Sequence, residues 1–294
     1  MADLTPETAA IPHFDGMAAI AERYDAFILD VWGVLHDGVT LYPGAVDTLE
    51  QLTAGEKPFV MLTNAPRRSA AVAESMIAMG MPAAFCRHIL SSGEATFLDL
   101  KERSDPFYAR VGNSCIHIGP ARDRNLFDGL DWDQTDRLED ADLIVNTGPW
   151  EDGETVADYE DKLALGVQMG LPMICANPDL EVVRDGRKLV CAGALALRYE
   201  ALGGTVRWFG KPKAEIYEYC FRVLSGFDRT RIAAVGDSFR TDLAGAQNAG
   251  VDPILVAGGI HGDALGNPPA ADVVASLAAQ WKALPAASIP SFVW

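Results

Sequence analysis

The chain has 294 residues, with 24 Lys and Arg against 41 Asp and Glu, so its formal charge is 24 − 41 = −17. Such an acidic composition argues against a broad nucleic-acid-binding face, because nucleic-acid affinity depends mostly on Lys and Arg that displace counterions. Apolar residues make up 49% and charged residues 22%, which is typical of a globular protein and excludes a disordered one. At roughly 150 residues per domain, the length predicts two domains or one large one.

Neither a membrane span nor a secretory signal is expected. No apolar run approaches the roughly 20 residues that a membrane helix needs, and the acidic N-terminal segment lacks an apolar core. The cysteines are scattered and form no C-x-x-C pair; they are Cys86, Cys115, Cys175, Cys191 and Cys220. We therefore expect a cytoplasmic protein with thiols in its core, and neither a disulfide framework nor a zinc cluster.

The predicted elements alternate between short strands and helices. Apolar runs predict strands at residues 27–31, 59–62, 89–90, 232–235 and 254–256. Each run is either followed by a turn and a helical stretch or begins the next such unit. Pro43 is suited to the first turn of a helix, and Gly80 and Gly250 are suited to helix ends. This alternation predicts an α/β fold, a doubly wound parallel sheet with helices on both faces.

A second set of strands interrupts this pattern. Residues 115–118, 143–145 and 173–175 are apolar runs separated by acidic, loop-like segments. A second α/β module inserted into the first explains them better than one very large sheet. We therefore predict a core domain of residues 1–103 and 207–294 and an inserted cap domain of residues 104–206.

Polar residues that can bind or react with a phosphate group lie at the ends of the predicted core strands. In an open parallel sheet, ligands bind at the carboxyl ends of the strands. The residues at or near those ends are Asp30, Thr63, Asn64, Asp237 and Asp242, and Lys211 precedes a predicted helix. Taken singly, each has a plain alternative explanation; an Asp or Thr at a strand end, for example, often caps a helix. Together they supply carboxylates for Mg²⁺, a lysine and a hydroxyl for phosphoryl oxygens, and a carboxylate nucleophile.

These residues form four motifs in a fixed order, namely Asp30-x-x-Gly-Val-Leu, Thr63-Asn64, Gly210-Lys211-Pro212 and Gly236-Asp237-x-x-x-x-Asp242. The ordered set resembles the haloacid dehalogenase (HAD) superfamily. The insert between the second and third motifs resembles its class IIA branch of NagD-like and nitrophenyl-phosphatase-like sugar or nucleotide phosphatases. The resemblance covers nearly the whole chain and implies a HAD-like, Rossmann-like core with an inserted α/β cap.

The resemblance also implies a role for each matching residue. Asp30 would be the nucleophile and would bind Mg²⁺ together with Asp237 and the backbone carbonyl of Trp32. Asp242 would belong to the metal site by orienting either metal-bound water or the lysine. The residues that bind the phosphate would be Thr63, Asn64 and Lys211.

Two further segments resemble the class IIA branch, the flap Leu35-His36-Asp37-Gly38 and the cap segment Ala176-Asn177-Pro178-Asp179. His36 has a pKa suited to proton transfer and is a candidate acid/base, with a turn residue or substrate contact as the alternative. Asn177 and Asp179 either contact the substrate or make a turn. Arg67 and Arg68 follow the phosphate-binding turn and either attract an anionic substrate or form a solvated first helical turn.

Trp32 departs from the family pattern. Phosphatases of the family usually place a second Asp two residues after the nucleophile as the acid/base, and an indole cannot perform that proton transfer. General acid–base catalysis contributes about 10²- to 10⁴-fold, or roughly 3–5 kcal/mol. We expect the Mg²⁺ site to remain and turnover to be slow or altered. Because residues two apart on a strand share a face, we expect the indole to form a wall of the leaving-group pocket; its alternative role is core packing.

We therefore predict a Mg²⁺-dependent phosphatase that hydrolyses a small phosphorylated metabolite, a sugar phosphate or nucleotide, through an aspartyl-phosphate. Its partner is that small molecule, and neither nucleic acid nor membrane. One alternative is a catalytically impaired HAD protein that binds a phospholigand, and another is a HAD hydrolase of non-phosphate chemistry such as dehalogenation. The sequence leaves the substrate, the replacement for the acid/base and a homodimeric state open.

Overall fold

A computed structural model describes residues 11–184 and 187–294 of the chain, so residues 1–10 of the predicted core domain and 185–186 of the predicted cap lie outside the described residues. The described strands form a six-stranded sheet, a five-stranded sheet and a two-stranded hairpin. In chain order they are β1 (Ala26–Leu29), β2 (Phe59–Thr63), β3 (Ile89–Ser91), β4 (Ser114–Ile118), β5 (Asp133–Thr135), β6 (Leu143–Asn146), β7 (Met173–Cys175), β8 (Glu181–Arg184), β9 (Arg187–Val190), β10 (Val206–Trp208), β11 (Ile232–Gly236), β12 (Asp252–Val256) and β13 (Ala287–Ile289).

The α-helices are short and connect these strands. In chain order they are α1 (Met17–Ala21), α2 (Ala45–Ala54), α3 (Ser69–Ala78), α4 (Ser92–Glu102), α5 (Glu160–Gln168), α6 (Ala192–Ala201), α7 (Ala214–Val223), α8 (Ala244–Ala249), α9 (Gly262–Leu265) and α10 (Ala271–Trp281). Across residues 11–184 and 187–294, none of the helices has the length and apolar character needed to cross a membrane.

The six-stranded core sheet is parallel throughout and has the order β13-β12-β11-β1-β2-β3. From the central strand β1 the chain proceeds outward through β2 and β3 on one side. It later returns as β11 on the other side and proceeds outward through β12 and β13. The direction of the strand order therefore changes between β1 and β11. At such a switch point the carboxyl ends of the strands border a crevice.

Helices cover both faces of the core sheet. Phe27 and Leu29 of β1 pack with apolar residues of α1, α2 and α3. Ala26 and Ile28 of the same strand point the other way and pack with residues of α7 and α8. A strand buried on both faces has to be apolar at every position, which explains the continuous apolar runs in the sequence. The predicted doubly wound α/β fold is confirmed.

The five-stranded sheet, with the order β10-β7-β6-β4-β5, is also parallel. Helices α5 and α6 pack on one face, and Phe97 and Leu100 of α4 pack on the other. Since α4 directly follows the core strand β3, this helix joins the two sheets. All strands of this inserted unit lie between β3 and β11 in the chain, and β10 begins at Val206 and spans the predicted 206/207 boundary.

Strands β8 and β9 form an antiparallel hairpin, with Glu181 opposite Val190 and Arg184 opposite Arg187. No element is predicted there from apolar runs, because apolar and charged residues are mixed in both strands and the described side chains are exposed or half-buried. The hairpin borders the space at the carboxyl edge of the core sheet, where Val182 and Lys188 face the same opening as Asp30.

Candidate active site

The carboxyl edge of the core sheet brings together the polar residues at the strand ends. Asp30 directly follows β1, Thr63 is the last residue of β2, and Asp237 directly follows β11. Since β1 pairs with both other strands, the three ends are neighbours. All three side chains are buried, and they border a single space between the core sheet and the hairpin.

Lys211 reaches this edge from the segment between β10 and α7. Its ammonium group, in a residue only 3% exposed, donates to Oδ1 of Asp30 at 2.5 Å and to Oδ1 of Asp242 at 2.6 Å. A third hydrogen bond of 3.1 Å goes to the backbone carbonyl of Leu62. An ammonium has three donors, so each is used and the position of Lys211 is fixed.

Three carboxylates surround this one positive charge. Asp30, Asp237 and Asp242 each offer an oxygen, and these oxygens lie within 4.8 Å of one another. Burial, followed by the charge of Asp242, raises the pKa of Asp30 well above its usual range and that of Asp237 to about 7. Burial lowers the pKa of Lys211, but Asp242 and Asp30 outweigh it and raise that pKa overall. A buried oxygen site with excess negative charge fits a hard divalent cation such as Mg²⁺.

Two glycines allow Asp237 to approach the other carboxylates. A Cβ at Gly33, where φ is +80°, would lie 2.0 Å from Oδ2 of Asp237, and a Cβ at Gly259 would lie 2.2 Å from the same atom. The backbone N–H of Ile260 donates to Oδ2 at 2.8 Å. The loops after β1 and β12 therefore fix the orientation of Asp237.

Asp242 lies in a π-helical turn, Phe239–Leu243, that precedes α8. Such turns often occur at functional sites. Its Oδ1 accepts from Lys211, and its Oδ2 accepts from the backbone N–H of Ser238 at 3.2 Å. Both oxygens are thus bonded to the chain, and the geometry favours the lysine-orienting role over direct contact with a metal.

Asn64 connects the turn after β2 to two other segments. Its Oδ1 accepts from the backbone N–H of Lys211 at 2.8 Å, and its Nδ2 donates to Oδ1 of Asp179 at 2.9 Å. The role predicted for Asn64 is phosphate binding through its backbone. In the structure its side chain also positions the lysine segment and the cap segment.

The cap segment after β7 is held close to the core. Asn177 accepts from the backbone N–H of Asp179 through its Oδ1 at 3.0 Å, which is the geometry of a turn. Arg240, in the π-helical turn, donates to the carbonyl of Pro178 at 2.6 Å. Asn177 and Asp179 also border the smaller cavity described below, and their contact with a substrate stays a prediction.

Comparison with known proteins places this site in a family. The model described as haloacid dehalogenase-like hydrolase matches residues 27–133, and one described as HAD-hydrolase-like matches residues 208–280. A hydrolase of the haloacid dehalogenase-like family from Brucella suis 1330 is 32% identical, with 95% of this chain and 100% of that chain covered and a TM-score of 0.82. The chain belongs to the haloacid dehalogenase-like hydrolase family.

More distant relatives carry phosphatase names. An acid sugar phosphatase of Staphylococcus aureus is 26% identical over 248 residues, which cover 81% of this chain and 88% of that protein. The structure of a glycerol phosphate phosphatase from Mycobacterium tuberculosis, in complex with magnesium, has a TM-score of 0.62 at 23% identity. The alignment covers 82% of this chain and 70% of that one.

Trp32 stands two residues after Asp30, at the position where the family resemblance predicts an acid/base Asp. Its indole approaches Gly38, where a Cβ would lie 2.0 Å from Cη2, so the flap needs glycine there. The guanidinium carbon of Arg184, from the hairpin, lies 5.7 Å from the indole centroid, within the range of a cation–π contact. Trp32 borders the space that contains Asp30, so its side chain lies on the site side of the strand end.

His36 is buried beside Trp32, with ring centroids 5.4 Å apart. Its Nδ1 accepts from the backbone N–H of Gly38 at 2.8 Å, which assigns the ring proton to Nε2. Burial lowers the pKa of His36 to about 4, so the ring is neutral at pH 7. A second proton on Nδ1 would disrupt the bond to Gly38. The geometry therefore favours a hydrogen-bond donor over a general acid.

Two spaces meet at Thr63, Trp32 and Asp179. The larger one, of about 1020 Å³, is an open cleft that contains Asp30, Lys211 and the other carboxylates. The smaller one, of about 160 Å³, extends from the same residues between the core and the cap. A phosphoryl group at Asp30 would thus stand next to a smaller cavity that has room for the rest of a small substrate.

Three residues that support or border the site were not predicted from the sequence, namely Arg240, Gly259 and Arg184. Arg240 belongs to the fourth motif, and its position three residues after Asp237 is the signal that could have identified it. Gly259 lies three residues after a predicted strand, in a Gly-Gly pair, and a glycine can allow another part of the chain to approach closely. Arg184 carries no such signal, because its place depends on how the hairpin folds over the core.

Proposed function

We propose that this hydrolase is a Mg²⁺-dependent phosphomonoesterase that acts through an aspartyl-phosphate on Asp30. The observation that carries the proposal is the bridge from Lys211 to Asp30 and Asp242, with Asp237 beside them. A fixed ammonium lowers the repulsion between an anionic nucleophile and a phosphate dianion. We retain the predicted division into core and cap as part of the proposal.

The attacking atom in this proposal is Oδ2 of Asp30. Oδ1 is bonded to Lys211, whereas Oδ2 accepts no hydrogen bond from the described residues. Oδ2 forms a bond to phosphorus while the ester P–O bond breaks, and the leaving oxygen takes its electron pair and a proton from water. A water molecule then attacks phosphorus and releases a proton, the P–Oδ2 bond breaks, and inorganic phosphate leaves. Thr63 donates to a phosphoryl oxygen during both steps, and Lys211, whose three donors are used by the protein, stabilises the phosphoryl oxygens through its charge.

The residues that would hold Mg²⁺ are Asp30, Asp237 and the backbone carbonyl of Trp32, with Asp242 orienting Lys211. When bound, the ion would neutralise charge on the phosphoryl oxygens and polarise the phosphorus. Support comes from the excess negative charge of the carboxylate cluster and from the relative whose structure contains magnesium.

The substrate we propose is a small sugar phosphate or a related polyol phosphate. The relatives named acid sugar phosphatase and glycerol phosphate phosphatase support this class. The cavity of about 160 Å³ is similar in size to an apolar cavity of about 150 Å³ that admits one benzene molecule. It therefore suits one six-membered ring or a three-carbon chain better than a whole nucleoside.

Phosphate release from sugar and polyol phosphates, with and without Mg²⁺, tests this function. We expect release that requires Mg²⁺ and is abolished in Asp30→Asn. Asp136→Asn, a change of the same kind at an exposed cap residue, should behave like the wild type. Release that persists in Asp30→Asn would contradict the aspartyl-phosphate route.

Trp32 favours one second candidate, a phospholigand-binding protein that has lost turnover. This candidate predicts Mg²⁺-dependent binding of phosphate esters, measured by calorimetry, without release of phosphate from any ester in the panel. Catalytic release from one ester at a rate proportional to enzyme concentration would rule it out.

A further inference from the structure

The smaller cavity between core and cap contains three arginines. Arg67 comes from the turn after β2, Arg122 from the 3-10 helix Ala121–Phe127 of the cap, and Arg184 from the end of β8. All three border the cavity together with Thr63 and Trp32. Such a cluster is unexpected in a chain with a net charge of −17, and the hydrolysis described above does not use it.

Arg67 and Arg68 are neighbours in sequence with different surroundings. The guanidinium of Arg68 makes two hydrogen bonds, of 2.8 and 3.0 Å, to the carboxylate of Glu94 and lies over the ring of Phe97. The guanidinium of half-buried Arg67 donates to Oγ of Ser75 at 3.1 Å. Among the described residues, Arg67 has no carboxylate within 4.0 Å. Arg68 is thus neutralised within the protein, whereas Arg67 is not.

Five carboxylates line the same cavity, those of Asp123, Glu151, Asp152, Glu154 and Asp179, but among the described residues none lies within 4.0 Å of the guanidinium of Arg67. Asp152 lies 2.9 Å from Arg184 and 3.8 Å from Arg122, so two guanidiniums share one carboxylate. Asp123 is buried in the same cavity wall, and burial raises its pKa to about 6. Glu151 and Glu154 line the outer part, where Glu154 accepts from the hydroxyl of Tyr159 at 2.5 Å.

The arginines are also close enough to affect one another. Burial lowers the pKa of Arg67, Asp123 opposes this, and Arg122 and Arg184 lower it further. A guanidinium stays charged in spite of such shifts, so the repulsion remains in the folded protein. An anion in the cavity would relieve it, and a planar guanidinium can bind a carboxylate or a phosphate through two parallel hydrogen bonds.

We propose that the leaving group of the substrate carries a second anionic group, a carboxylate or a phosphate, and that Arg67 binds it in the cavity with the help of Arg184. This inference rests on the proposed phosphatase function and narrows its substrate class to phosphorylated acids or bisphosphates. Arg67 adjoins the turn that holds Thr63, so the two anionic groups of one small molecule can be bound at once.

Three probes built on glycerol test the proposal. Glycerol 3-phosphate has a neutral hydroxymethyl end, 3-phosphoglycerate has a carboxylate there, and glycerol 1,3-bisphosphate has a phosphate. Their inhibition constants are measured against hydrolysis of 4-nitrophenyl phosphate, so the probes need not be turned over themselves. We expect at least one charged probe to bind about 10- to 100-fold more tightly than glycerol 3-phosphate, the range for one hydrogen-bonded charge pair.

The variants Arg67→Gln, Arg67→Lys and Arg68→Gln complete the test. In Arg67→Gln the preference for the charged probe should fall to about onefold, Arg67→Lys should retain part of it, and Arg68→Gln should retain all of it. Each preference is a ratio within one variant, so a partly unfolded sample does not affect it. The proposal is overturned if the wild type and Arg67→Gln prefer the charged probe over glycerol 3-phosphate by the same factor, or if the wild type shows no such preference. Absence of 4-nitrophenyl phosphate hydrolysis would instead overturn the phosphatase function.

Discussion

Restoring a carboxylate at position 32 is the most informative change to this site. In Trp32→Asp the new side chain would lie on the same side of the strand end as Asp30 and would border the space that contains it. The backbone carbonyl of residue 32 would be retained. The indole is half-buried, and its contacts with Gly38 and Arg184 would be lost. Full burial of a Trp is worth about 3–5 kcal/mol, so we expect a loss of about 2 kcal/mol in the free energy of unfolding.

The expected gain in rate depends on the leaving group. A general acid contributes about 10²- to 10⁴-fold when the leaving oxygen needs a proton in the transition state. Glycerol 3-phosphate releases a basic alkoxide, so Trp32→Asp should raise its kcat/KM by about 100-fold or more. Nitrophenolate is a stable anion and needs little protonation, so hydrolysis of 4-nitrophenyl phosphate should change by less than about tenfold.

Trp32→Asn is the matched control, because Asn has the size of Asp but cannot donate a catalytic proton. Steady-state kinetics of the two variants with both esters separates proton transfer from the extra space that either substitution creates. The reasoning is refuted if Asp and Asn accelerate the alkyl ester equally, or if Trp32→Asp accelerates both esters by the same factor.

Three further changes probe the supports of the site. Asn64→Ala removes two hydrogen bonds to partly or fully buried partners and should lower the free energy of unfolding by about 2–4 kcal/mol, measured by urea titration. Gly33→Ala should weaken Mg²⁺ binding at least about tenfold, measured by calorimetry, because the added Cβ would displace Asp237. Gly153→Ala is the control, because Gly153 also has a positive φ but lies in open space, and it should leave Mg²⁺ binding unchanged. Asp123→Asn should raise the free energy of unfolding by about 3 kcal/mol at pH 8 and by little at pH 3, measured by urea titration. The raised carboxyl pKa costs stability that builds up between pH 3.8, the ordinary pKa, and about 6, and is complete above that; equal effects at both pH values would contradict this.

The strand ends could be predicted from the sequence because two independent patterns agree there. Strands β1, β2 and β11 are buried on both faces, so their residues form apolar runs, and the first polar side chains after these runs begin are Asp30, Thr63 and Asp237; the predicted first run, 27–31, extends one residue beyond Asp30. Parallel pairing then requires these ends to meet at one edge. The position of Lys211 could be inferred as well, but its simultaneous bonds to Asp30 and Asp242 depend on three separate segments and required the structure.

Neither the hairpin β8–β9 nor the arginine cluster could be predicted from the sequence, and the reasons differ. Apolar and charged residues are mixed in the hairpin, which obscures its apolar pattern; the Asp-Gly pair at sequence positions 185–186 is a known hairpin signal that apolar runs alone do not use. Arg67, Arg122 and Arg184 come from three parts of the chain. Their common cavity arises from the packing of cap on core, which no local spacing encodes.

The structure explains how an indole at position 32 is compatible with an intact carboxylate cluster. Lys211 and backbone N–H groups donate hydrogen bonds to the carboxylates of Asp30, Asp237 and Asp242. The missing side chains of Gly33 and Gly259 leave room for Asp237. The indole takes part in none of these contacts. Charge stabilisation by the carboxylate cluster and proton transfer by a side chain at position 32 therefore depend on different atoms. Under the proposed mechanism, charge stabilisation at phosphorus persists without proton delivery, so sugar and polyol phosphates, whose leaving groups need a proton, should be hydrolysed more slowly than esters whose leaving groups need little protonation.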